Sequence, residues 1–103
     1  MKPARFHPGA EAEMINAAAH YEGQQPALGR RFLATVQDAV NRIVLDPYLY
    51  PAIENDVRRC LTKTFPFGVL YRTLPEGIII IAIMHLHRDP DYWKKRMDYI
   101  QSG

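Results

Sequence analysis

The chain has 103 residues, 48 % of them hydrophobic and 23 % charged, with a formal net charge of +2. That length fits one domain, residues 1–103, able to bury a core of its own, and the composition excludes a disordered chain. The single cysteine, Cys60, excludes an internal disulfide; the longest apolar run, Gly77 to Met84, is too short to span a membrane and no charged-then-apolar leader is seen, so a cytoplasmic protein is expected.

Residues 3–7, "PARFH", suit a short strand. Pro8 then fits the first turn of a helix, where its missing N–H costs nothing, and Glu11 and Glu13 favour the positive end of the helix dipole. Ala10, Met14, Ala18 and Tyr21 share one stripe, which predicts a helix over about 9–23. After the break "EGQQP", Leu28, Phe32, Val36, Val40 and Ile43 recur at the cleanest helical period in the chain, joined by Ala39 and Val44. They predict an amphipathic helix over about 27–45, ending before Pro47 and antiparallel to the first.

"DPYLYPAIEND" (46–56) carries two prolines and reads as a loop. Beyond it the period becomes extended. "VRRCLTK" (57–63) and "FGVLYRTL" (67–74) are strand candidates, "PEG" (75–77) a tight turn, and "IIIIAIMHLH" (78–87) a third strand, apolar on both faces as a strand covered twice should be. Asp89 suits the cap of a last helix with Pro90 at its first position, and Trp93, Met97 and Ile100 form its stripe. The order β-α-α-β-β-β-α defines an α+β domain, a helical hairpin packed on a mostly antiparallel sheet.

Charge is unevenly spread. Residues 1–56 hold five Lys/Arg and seven Asp/Glu, net −2, whereas residues 57–103 hold eight and four, net +4. The second half is therefore expected to meet an acidic or polyanionic partner. Arg58, Arg59 and Lys63 lie on one strand, Arg72 on the next and Arg88 past the third, so their side chains are expected to converge near one sheet edge. Guanidinium forks match carboxylate and phosphate alike. Lys94, Lys95 and Arg96 add charge on the last helix. His85 and His87, two apart on a strand, share a face and suit acid–base work, metal ligation or plain strand-end hydrogen bonding. No third ligand stands at metal spacing, so neither metal nor cofactor is expected. Tyr92 and Trp93 can stack on a base, or Trp93 can be core.

The hairpin, "RRCLTKTFPFGVLYR" (58–72), the isoleucine strand and "HLHRDPDYWKKR" (85–96) together resemble the RelE/ParE superfamily of type II toxin–antitoxin toxins, in its ParE-like plasmid-stabilisation branch. "FPFGVLYR" and "HLHRDPDYW" are the most specific parts, and the likeness spans almost the whole chain. It implies a toxin neutralised by a cognate antitoxin. ParE-like members poison DNA gyrase; RelE-like members cleave mRNA in the ribosomal A site with a basic cluster and a C-terminal tyrosine. Arg59 and Arg88 match bases of the nucleases, but Gly68 stands where they place an arginine, and Tyr92 is out of register with their tyrosine. The gyrase reading is therefore taken first, with Arg58, Arg59, Lys63, Arg72, Arg88, Trp93, Lys94, Lys95 and Arg96 binding antitoxin or target. In the nuclease alternative, Arg59, Arg72, His85, His87, Arg88 and Tyr92 would form the catalytic site; a non-toxic binding module is the third reading. An antitoxin groove is expected between hairpin and sheet edge, lined by Leu28, Phe32 and Val36.

Overall fold

The computed structural model describes residues 3–98. Strand β1 (Ala4–Phe6) leads into helices α1 (Pro8–Gln24) and α2 (Leu28–Leu45), followed by strands β2 (Ala52–Glu54), β3 (Val57–Leu61), β4 (Phe67–Leu74) and β5 (Gly77–His85). The sheet runs β1-β5-β4-β3-β2, with β1 parallel to β5 and every other pair antiparallel. Among the described residues, no helix is long and apolar enough to cross a membrane.

Each helix starts from a local device. The His7 ring accepts the Gly9 N–H at 2.9 Å ahead of Pro8, capping α1. Ala27, at the start of α2, has a φ of 73° and no side-chain cap of its own. Glu22 of α1 supplies one instead, its carboxylate accepting the Ala27 and Gly29 N–H groups, both at 3.0 Å. Those two backbone donors hold the Glu22 carboxyl below its ordinary range. The helices then close tightly, since a Cβ on Gly29 would stand 2.6 Å from the Ala18 carbonyl oxygen.

The helices cover one sheet face. Phe32, Val36, Ala39, Val40 and Ile43 of α2, with Ala10 of α1, pack on Cys60, Phe67, Val69, Tyr71, Ile78, Ile80 and Ile83. Tyr21, Phe32, Phe65 and Phe67 form an aromatic cluster with ring centroids 4.9–6.3 Å apart. Phe32 and Val36 are fully buried there, so the expected antitoxin groove lined by these residues does not exist: the stripe is the domain's own core. The opposite face gathers Val57, Leu70, Ile79, Ile81, Ala82 and Met84 around Trp93. Strand β5 feeds both faces through a bulge. Tyr71 pairs with Ile80 and Leu70 with Ala82, which leaves Ile81 as the extra residue and puts Ile81 and Ala82 on the same side.

Three elements differ from the sequence expectation. Residues 46–56 are not all loop, because Ala52–Glu54 adds an edge strand to β3. Strands β3 and β5 each stop two residues early, so Lys63 and His87 lie beyond them. The last segment runs in successive turns from Pro90 and becomes helical only over residues 96–98; Ile100 lies outside the described residues.

Candidate functional site

Strand pleating decides where the basic side chains go. Arg58 and Arg59 are neighbours on β3 and so take opposite faces. Arg58 turns to the helix side, donating to the carbonyls of Tyr50 (2.6 Å) and Tyr48 (3.3 Å) and resting over the Tyr48 ring. It ties down the loop after α2, as does the Tyr71 hydroxyl, which donates to the Pro47 carbonyl at 2.7 Å. Arg59 lies on the other face with its stem across Gly68; a Cβ at position 68 would stand 2.8 Å from Arg59 Cδ. Glycine there is what admits the Arg59 side chain. Arg72 is committed to Asp56 at 2.6 Å, and Lys63 is exposed, 3.9 Å from Asp38. Arg59 and Arg72 thus share the outer face, but Arg58 and Lys63 lie on the helix side and do not converge with them.

A different cluster forms at the outer edge of β5. Strand β1 pairs only with residues 78–80, leaving the next backbone groups of that edge without a strand neighbour. Glu13 of α1 accepts the Ile83 N–H at 3.1 Å, and Arg96 donates to the Ile81 carbonyl at 2.9 Å. The two side chains pair with each other through both guanidinium nitrogens, at 2.9 and 3.2 Å. With side chains only 13 % and 18 % exposed, they act as a surrogate strand edge. Arg88 joins Glu13 from outside at 3.2 Å and lies 3.6 Å above the Tyr92 ring, but is half exposed. Burial, and then the Glu13 carboxylate, push the Tyr92 phenol above its ordinary range, so it stays protonated at neutral pH.

From the sequence alone, Glu13 is only a favourable charge near the positive end of the α1 dipole. Its partner is 83 residues away, and nothing short-range in the sequence marks the pairing. Trp93, expected as a possible contact for a partner, is 2 % exposed and is the centre of the second core. Lys94 bridges Glu54 and Asp91 at 2.9 and 3.0 Å, joining the last segment to β2; these partners raise its ammonium pKa. The His85 and His87 rings stand 5.3 Å apart although His87 is past the strand, because the His87 N–H donates to His85 Nδ1 at 3.1 Å. Among the described residues, no three His, Cys, Asp or Glu side chains come together to hold a metal ion. Burial raises the Cys60 thiol, which receives an Arg42 N–H at 3.3 Å.

A helical hairpin on one face of a five-stranded sheet, with a basic C-terminal segment closing the other, defines a RelE/ParE-type α+β domain. The chain from the chromosomal ParDE toxin–antitoxin system of P. aeruginosa shares this fold, with a TM-score of 0.62 over 84 % of this chain and 98 % of that one at 20 % identity. The family model for the ParE toxin of the type II toxin–antitoxin system parDE matches residues 4–90. Toxin ParE2 of Mycobacterium tuberculosis is 30 % identical over 88 residues, which cover 84 % of each chain, and the same match is found in two strains. The chain belongs to the ParE toxin family of type II toxin–antitoxin systems. An antitoxin protein is accordingly its partner.

Proposed function

We propose that this toxin acts in the cytoplasm by binding and inhibiting DNA gyrase, with Arg88 and the exposed bases Lys63 and Lys95 as docking residues rather than parts of a nuclease site. One observation carries this reading: of the side chains a nuclease would need, Arg72 and Arg88 are already engaged and Tyr92 is buried. Arg72 is held by Asp56, Arg88 by Glu13 and the face of Tyr92, and the Tyr92 phenol is buried and kept protonated. General acid–base cleavage of RNA needs a proton acceptor and donor around one held phosphate. Arg59 faces the side of the sheet opposite the His85–Phe67 ring contact, so the matching bases and the histidines do not surround one point.

The test is induction from a tight promoter, with pulse-labelling of protein synthesis and plasmid supercoiling followed in one culture. Gyrase inhibition predicts relaxed plasmid while translation continues through the first minutes. Immediate collapse of translation with supercoiling intact would replace this reading with ribosome-dependent mRNA cleavage. Growth unaffected by a folded, expressed protein would identify a binding module that has lost toxicity.

A further inference from the structure

Arg88 is held although the fold does not need it. Its side chain is half exposed, yet it is gripped from two directions: Nη1 donates to Glu13 at 3.2 Å, and the centre of the guanidinium lies 3.6 Å above the Tyr92 ring. Glu13 does not require this second cation. Its carboxylate already receives Arg96 at 2.9 and 3.2 Å, so Arg88 leaves the trio net positive. Nor does the open edge of β5 require it, because Arg96 and Glu13 already satisfy the Ile81 carbonyl and the Ile83 N–H. Among the described residues, Arg88 Nε and Nη2 have no acceptor. An exposed arginine ordinarily samples many rotamers, and a partner that binds it must offset the entropy lost in fixing it. Here that ordering is already done inside the domain.

We propose that Tyr92 is a positioning residue: its ring holds the Arg88 guanidinium outward, with the free Nε and Nη2 donors ready for an oxyanion of the partner. Of the two grips, the ring is the one that fixes orientation. A single N–H on Glu13 lets the fork turn about that bond, whereas a guanidinium resting on an aromatic face at 3.6 Å cannot turn without losing the contact. Tyr92 is a firm base for this, since it packs against the core around Trp93. Its ring therefore ties the display of Arg88 to the most buried part of the last segment. Glu13 cannot serve as the test of this arrangement, because its loss also opens the clasp with Arg96. The proposal rests on the gyrase reading only for the identity of the partner.

The test is ¹⁵N relaxation of the arginine Nε–Hε groups in the full chain, with Arg88→Lys used to assign the Arg88 signal and Arg31, exposed on α2, as the mobile reference. Arg88 is expected to be more restricted than Arg31 and to carry the upfield proton shift of a group above a ring. Both signs should vanish in Tyr92→Leu and persist in Tyr92→Phe, which keeps the ring. Binding of the same chains to purified gyrase should weaken about threefold to fivefold in Tyr92→Leu and recover in Tyr92→Phe, the effect of one exposed cation–ring contact. An Arg88 as mobile as Arg31 in the wild-type chain overturns the proposal without any variant. So does an Arg88 unchanged by Tyr92→Leu, or a Tyr92→Leu chain that frees Arg88 yet binds gyrase at full affinity. A wild-type chain that holds Arg88 as described but does not bind gyrase overturns the gyrase reading alone.

Discussion

One face of the sheet is closed by two long helices whose aromatic and aliphatic side chains interlock, the other by a single short segment anchored on Trp93 and the Glu13–Arg96 pair. Burial on the helix side is continuous and nearly free of charge, as expected where packing alone must hold a fold. On the second face the same strand, β5, is covered by a segment that carries Arg88, Lys94, Lys95 and Arg96. The first face makes the domain; the second keeps Arg88, Lys94 and Lys95 at the surface on a stable base. A partner can therefore meet the second face without disturbing the first.

The comparison breaks most visibly in the helix core. Phe32→Ala should cost about 3–5 kcal/mol, because the ring is fully buried among Tyr21, Phe65 and Phe67. Denaturant unfolding measures it, and a loss under 1 kcal/mol would mean the helices are not the main support. Next is the edge clasp. Glu13→Gln or Arg96→Met alone should cost about 3 kcal/mol, since each strands a largely buried charge, whereas the double variant should cost less than the sum. Additive losses would show that the two side chains act separately on the backbone of β5.

That clasp marks the boundary of what the sequence discloses. The α2 stripe, the β4 limits and the turn before β5 follow from local period and proline or glycine position, and each is where it was expected. Strand β2 escaped because three residues between Pro51 and Asn55 are too few to show a period. The placement of the bases failed for a simpler reason: adjacent residues on a strand point apart, so "RR" at 58–59 serves two faces. Glu13 and Arg96 meet only because β1 ends at Phe6 and exposes the edge they fill, a fact of tertiary pairing with no local signature. Gly68 was legible as a missing base, but not as the floor on which Arg59 lies.

Arg88 sharpens the contrast between support and display. It shares Glu13 with Arg96 yet is 52 % exposed, so Arg88→Ala should change stability by less than about 1 kcal/mol. The same variant should abolish growth arrest on induction. Unchanged arrest would remove Arg88 from the docking surface, and a stability loss as large as that of Arg96→Met would place it in the clasp instead.

The smallest effect concerns the start of α1, where the helix face begins. His7 caps that helix by accepting the Gly9 N–H on Nδ1, which only a ring unprotonated at that atom can do. Burial, and then the charge of Arg96, lower the His7 pKa below the ordinary 6.5, with Glu13 opposing. The folded state thus binds the proton less readily than the unfolded chain. The contribution is whole above pH 6.5 and is lost as pH falls through the lowered folded-state value. A cap of this kind contributes about 0.5 kcal/mol. His7→Asn keeps a side-chain acceptor that does not titrate, so wild type minus variant should lose about that much stability between pH 7 and the acid side of the transition. A difference that stays flat with pH would mean that the cap survives protonation and that the acid sensitivity of the domain lies elsewhere.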